Sequence, residues 1–130
     1  MLFLATPYTD EKLSVMQRRY EEALEMASHL AKIGFVVYCP IVSWHVAAVK
    51  YNLPFDFNYW RLNSRTFINC CETFAIGKIE GWDKSTGVKD EYDYATLLKK
   101  NTVLINSLST PVYGINFEVE ECRANPFTQG

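Results

Sequence analysis

The chain alternates short, wholly apolar runs with longer stretches in which apolar residues return every three or four positions. "MLFLA" at 1–5 is the first run; "FVVYC" at 35–39, "TFAIGKI" at 73–79 and "TVLIN" at 102–106 repeat it. A run that is apolar at every position reads as a strand buried on both faces. Between the first two, Leu13, Met16, Tyr20, Ala23, Leu24, Ala27, Leu30 and Ala31 trace one stripe of a long helix. Thr9 or Asp10 offers that helix a cap, and Gly34 a left-handed stop. "KDEYDYATLLKKN" puts Tyr92, Ala95 and Leu98 on one face of another helix. "VSWHVAAVKY" and "FNYWRLNSRTFINC" read as helices joined by turns at "NLPFD". The remainder, from Ser107, reads as one edge strand, a short helix and a polar tail.

Strand, helix, strand in that order, with apolar strands, predicts βαβ units and a parallel sheet covered on both faces. The expected fold is a single three-layer α/β domain. Ligands in such folds bind beyond the carboxyl ends of the strands, near the switch in strand order. Three segments leave those ends in this reading: Thr6–Asp10, Pro40–Ala47 and the loop from Glu80 to Val88.

The third of these, within "GWDKSTGVKDE" at 81–91, is the richest chemically. Ser85 and Gly87 precede a helix start, where free N–H groups favour an anion and a glycine admits a phosphate close to the backbone. Glu91 follows, and a carboxylate at a pocket can attack an anomeric carbon or stabilise an oxocarbenium-like centre. The same residues also suit a capped surface helix, with Ser85 or Thr86 as cap and Asp90 and Glu91 as acids that its dipole favours. The stretch lacks the Gly-Lys-Ser/Thr ending of a Walker loop. Thr6 and Tyr8 offer a hydroxyl and a phenol from the first segment, and Ser43, Trp44 and His45 come from the second. Trp82 is a candidate for stacking on a flat base. Arg19 reaches the first segment only if the register of its helix turns it that way.

Composition narrows the partners. The 130 residues carry a net charge of −2, with acids and bases interspersed, which argues against a nucleic-acid polymer as ligand while leaving room for one nucleotide in a pocket. No apolar run approaches the length of a membrane span, and "MLFLATPYTDEK", with no basic leader and no long apolar core, is not expected to act as a signal peptide. Cys39, Cys70, Cys71 and Cys122 form no CxxC pair, and neither His29 nor His45 completes a zinc spacing with them. Free thiols in a reducing cytoplasm, with no metal and no cofactor, are expected.

The order of "FLATPYTD", "RRY" with its following alanines, "VYCPI" with a histidine four residues on, "CCETFAI" and "GWDKSTGVKDE" resembles small phage and bacterial members of the nucleoside 2-deoxyribosyltransferase-like superfamily, which includes 2′-deoxynucleoside 5′-phosphate N-hydrolases. The resemblance spans roughly residues 1–107, and its most specific part is Ser85-Thr86-Gly87-Val88-Lys89-Asp90-Glu91. It implies a flavodoxin-like (Rossmann-like) parallel sheet of about five strands. It implies an N-glycosidase that cleaves the base–sugar bond of a (deoxy)nucleoside 5′-monophosphate, as hydrolase or base-exchanging transferase, with Glu91 at the sugar carbon and Ser85 at the 5′-phosphate. A hydroxyl and N–H groups welcome a phosphate dianion that a carboxylate would repel. Thr6, Tyr8, Arg19, His45, Trp82, Asp83 and Gly87 complete the expected substrate site. A homo-oligomer in the cytoplasm of a bacterial or phage-infected cell is implied as well. Two positions depart from the pattern. Phe3 stands where members often carry a tyrosine that bonds the catalytic carboxylate, and Ser64 where they often carry an aspartate. Tyr8 is a candidate to replace the first, and Asp83 or His45 to move the proton. The alternative is a protein that binds a nucleotide or an ADP-ribose derivative in the same pocket without cleaving it.

Overall fold

The computed structural model describes residues 1–112 and 114–128. Five strands form one sheet in the order β2-β1-β3-β4-β5. They are β1 (Leu2–Ala5), β2 (Val37–Tyr38), β3 (Thr73–Gly77), β4 (Asn101–Val112) and β5 (Ile115–Glu121). β1 pairs in parallel with β2 and β3, and β3 with β4, while β5 returns antiparallel along β4. Four helices connect them: α1 (Leu13–Lys32), α2 (Pro40–Tyr51), α3 (Phe57–Cys70) and α4 (Thr86–Leu97). None of the helices among the described residues is long and apolar enough to cross a membrane.

The apolar strands are buried on both faces because successive side chains point to opposite sides. Leu2 and Leu4, with Ala75, Val103 and Ile105, meet Ala23, Met26 and Leu30 of α1 and Ile41 of α2. Phe3 and Ala5, with Phe74, Ile76 and Leu104, meet Ile68 of α3 and Val88, Tyr92 and Ala95 of α4. Two cores, one on each face of the sheet, make the three layers predicted. Each large side chain so buried contributes on the order of 1.5–3 kcal/mol of transfer free energy.

Several boundaries differ from the sequence reading. β2 has only two residues and sits at the sheet edge, so Phe35 and Val36 are exposed. No side chain caps α1: its N-cap is Lys12, and Asp10 Oδ1 instead accepts the Lys12 N–H at 2.9 Å. In the α1 stripe, Leu13 and Leu24 are exposed while Met26 is buried, because the helix rests on the sheet along Met16, Ala23, Met26 and Leu30. Gly34 takes the left-handed conformation expected, with φ +104°. Residues 40–47 are not a loop; α2 begins at Pro40, whose fixed φ and missing N–H suit a helix start. α4 begins earlier than expected, with Ser85 as its N-cap. The short helix expected after Ser107 does not occur among the described residues: β4 continues to Val112 and β5 fills the segment to Glu121. Gln129 and Gly130, the end of the expected polar tail, lie outside the described residues.

Candidate functional site

The chain runs from β1 outward to β2, then crosses back to the other side of β1 to form β3. The carboxyl ends of β1 and β3 therefore open onto a crevice at the switch in strand order. A cavity of about 520 Å³ lies there, within the range that small-molecule sites occupy. Thr6, Tyr8 and Thr9 line it from the loop after β1, Pro40 to Ala48 from α2, and Gly81 to Glu91 from the loop after β3 and α4. A fourth wall comes from Phe55, Asp56, Phe57 and Trp60.

Burying a polar group without a partner is costly, so buried polar side chains mark places where something other than packing decides. Among the described residues, the buried polar or charged side chains are Thr6, His45, Ser64 and Glu91. All four line this cavity.

Glu91 lies four residues beyond Gly87, so the two share a face of α4, and Val88, Tyr92 and Ala95 turn to the sheet. Glu91 is 7% exposed. Burial pushes its pKa up from 4.5 to about 8; the nearby Asp90 carboxylate adds to the rise, and a hydrogen bond from Ser64 opposes it. Arg65 and Arg61 of α3 hold Asp90 on the outer side, at 3.3 and 3.7 Å.

The start of α4 carries groups that suit an anion. Ser85 Oγ accepts the Val88 N–H at 3.2 Å, which leaves the hydroxyl proton free to donate. The N–H groups of Thr86 and Gly87, in the first turn, have no intrahelical acceptor. A Cβ at Gly87 would stand 3.2 Å from the Phe57 ring, so the backbone here lies close against the opposite wall. Lys84 and Arg19 add positive charge to the lining. Arg19 leaves α1 to donate from Nη1 to the carbonyls of Tyr8 and Thr9, at 3.3 and 3.1 Å. Its guanidinium also covers Gly81, whose φ of +95° and lack of Cβ let Nη2 approach to where a methyl would be 2.6 Å away. Arg19 thus ties the loop after β1 to the loop after β3.

His45 sits behind Tyr8. The Tyr8 hydroxyl is 2.6 Å from Nδ1, and Nε2 is 2.7 Å from Gln17 Oε1. The imidazole stacks on Tyr20 with ring centroids 4.5 Å apart. Burial lowers the His45 pKa, against the pull of Glu21, and burial raises that of Tyr8 to about 12. Both groups are therefore neutral around pH 7.

Of the residues singled out from sequence, Thr6, Tyr8, Arg19, His45, Ser64, Ser85, Gly87 and Glu91 meet in this cavity. Trp82 and Asp83 do not line it. They form a single 3-10 turn that faces away, where Trp82 packs on Phe127 and beneath Lys78 Nζ. Two other indoles do line the cavity: Trp44 of α2 and Trp60 of α3, with centroids 5.4 Å apart. Trp60 is held by Nε1–H donation to the Pro54 carbonyl at 2.7 Å, and Thr9 Oγ1 donates to the Phe55 carbonyl at 2.8 Å. Asp56 was also missed; it caps α3 through Tyr59 N–H at 3.2 Å. The signal for this wall was "DFNYW", an N-cap aspartate followed by aromatics, but its position across from β1 depends on a long-range crossover.

No curated protein matches the chain. The sequence model of a family described as a domain of unknown function, DUF1937, matches residues 1–107, which run from β1 through the first half of β4 and include every cavity residue, and the chain belongs to that family.

Proposed function

We propose that the protein is an N-glycosidase that cleaves the base–sugar bond of a (deoxy)nucleoside 5′-monophosphate, by hydrolysis or by transfer to a second base. One observation carries the reading: a buried carboxylate and a helix start with free N–H groups lie on the same face of α4, one helical turn apart, in one cavity. A 5′-phosphate seated on Ser85, Gly87 and the free N–H groups, beside Lys84 and Arg19, leaves its sugar near Glu91. Glu91 first gives up its proton to solvent, and the positive charge that develops at the sugar carbon then favours its ionised form, which stabilises or captures that carbon. Trp44 and Trp60 offer a surface for the base. The assembly expected of such a protein would use the apolar residues left exposed on α2 and α3, Val46, Val49, Tyr51 and Leu62 among them, and sedimentation velocity tests it.

The test is chromatography of each ribo- and deoxynucleoside monophosphate after incubation with the wild type and with Glu91→Ala. Free base from at least one substrate, lost in the variant, is expected. No free base from any, or an equally active variant, overturns the reading.

A second reading is a protein that binds nucleotides or ADP-ribose derivatives and does not cleave them. The serine beside Glu91, where a second acid would assist, favours it. Calorimetry showing tight binding of such a ligand, with no product formed, would select it.

A further inference from the structure

The proposed reaction needs a group to take a proton from the acceptor that attacks the sugar carbon. Ser64 is no acid or base at neutral pH, and Asp83 lies outside the cavity. The hydrogen bonds around His45 have a direction that supplies one. Glu21 Oε1 is an acceptor, so the Gln17 amide nitrogen that lies 3.2 Å away donates to it. Gln17 Oε1 then faces His45 Nε2, which must carry the ring proton. Nδ1 is bare, and the Tyr8 hydroxyl donates to it. The chain is thus polarised from Tyr8 through His45 and Gln17 to Glu21, and the Tyr8 oxygen, a lining atom of the cavity whose proton goes to His45, keeps its lone pairs free to accept. The groups facing His45 are Tyr8 from the loop after β1 and Gln17, Tyr20 and Glu21 from α1. Arg19 stands in the same cavity but is tied to the carbonyls of Tyr8 and Thr9.

We propose that Tyr8 is the general base of the glycosyl cleavage proposed above, on which this inference rests, with His45 as the positioning residue that receives the Tyr8 proton. As the acceptor oxygen of water bonds to the sugar carbon, that carbon's bond to the departing base, or to Glu91 if it has been captured there, breaks. The water proton passes to the Tyr8 oxygen, and the Tyr8 proton passes to His45 Nδ1. Gln17 Oε1 and the Glu21 charge hold the resulting imidazolium. The released base, an anion at its ring nitrogen until then, takes that proton back through Tyr8 and leaves neutral. Asp56 is the competing candidate in the lining, but it is exposed and commits Oδ2 to the Tyr59 N–H.

Azide tests this, because an anionic nucleophile needs no deprotonation. With the monophosphate that the wild type cleaves fastest, Tyr8→Phe and His45→Gln should each slow base release by roughly 100-fold or more. Added azide should restore the rate in both and yield the sugar-phosphate azide. A merely structural loss would not respond to azide, and thermal melts of both variants check the fold. His45→Gln keeps an acceptor for the Tyr8 hydroxyl without a titratable ring, so it separates the proton's destination from the hydrogen bond. Normal turnover in Tyr8→Phe, slowing without azide rescue, or rescue of Asp56→Asn alone overturns the inference and leaves the Glu91 reading intact. A wild type that releases no base from any monophosphate overturns that reading, and the inference falls with it.

Discussion

Replacing Glu91 by glutamine should stabilise the free protein, and should do so in a pH-dependent way. In the unfolded chain the Glu91 carboxyl titrates near 4.5, whereas burial in the folded protein raises it to about 8. Between those values the folded state holds a proton that the unfolded state has lost. The unfolded state then binds fewer protons, so stability falls as pH rises, by about 1.36 kcal/mol for each pH unit. The contribution is fully present below pH 4.5, drains across the window, and is gone above about pH 8. The full drop is roughly 5 kcal/mol, an upper figure because the cavity mouth admits water that softens the burial. A glutamine at this position would not titrate, so Glu91→Gln should equal the wild type near pH 4.5 and exceed it by several kcal/mol above pH 8. Urea unfolding of both proteins in small pH steps from 4.5 to just above 8 measures the difference. A stability difference that stays constant across this range would refute the burial argument. A wild type that gained stability with rising pH, relative to the variant, would reverse its sign.

Other consequences can be tested alongside. Ser85→Ala should cost about 1 kcal/mol of stability through loss of the cap, whereas Ser85→Asp should keep the cap and abolish monophosphate binding; urea unfolding and calorimetry separate the two effects. Gly81→Ala should destabilise by more than ~1 kcal/mol, because the residue needs a positive φ and its methyl would displace the Arg19 guanidinium; Arg19→Met at the same time should relieve the clash but not the strain, which thermal unfolding of the single and double variants reads. Trp60→Ala should weaken binding of a nucleoside monophosphate by ~1–3 kcal/mol and leave that of ribose 5-phosphate unchanged in calorimetry, since only the former carries a base to stack.

The sheet was legible because strands buried on both faces are apolar at every position. Leu2 to Ala5 and Phe74 to Ile76 divide between two cores, and no other arrangement hides them all. The edge was harder. Phe35 and Val36 look like strand residues, but β2 ends the sheet and has a neighbour on one side only, so their burial depended on a partner that local pattern does not report. Ser85, Gly87 and Glu91 were legible through the logic of helix starts, once their place after a buried strand was fixed. Trp82 misled because a tryptophan beside a strand end has two sides to choose from; the 3-10 turn sends it toward Phe127. Trp44 and Trp60 reach the cavity from two separate helices, a meeting that no spacing in the chain encodes. The role of Arg19 was decided by the register of α1, which only packing fixes.

Burial, with Ser64 and Asp90 acting in opposite directions, accounts for the state of Glu91. A tyrosine at position 3 would place its ring on the face of the sheet that α3 and α4 cover, the face from which Glu91 projects. Phe3 brings no hydroxyl to that face and stacks on Phe74 at 5.8 Å. The phenols that come near commit their protons elsewhere. Tyr8 donates to His45, and Tyr38 donates to Asn63 Oδ1 at 2.8 Å. Ser64 is left as the group that pulls the Glu91 pKa down, against burial and Asp90. One neutral hydroxyl offsets little of the cost of burying a charge. The carboxyl is therefore held protonated in the free protein around pH 7. Introducing a phenol with Phe3→Tyr should lower the Glu91 pKa and narrow the pH window of the stability difference described above. The same urea series on Phe3→Tyr, beside Phe3→Tyr with Glu91→Gln, decides it. A window unchanged in width would mean that the carboxylate lies beyond reach of β1, and that Ser64 sets its charge without help from that strand.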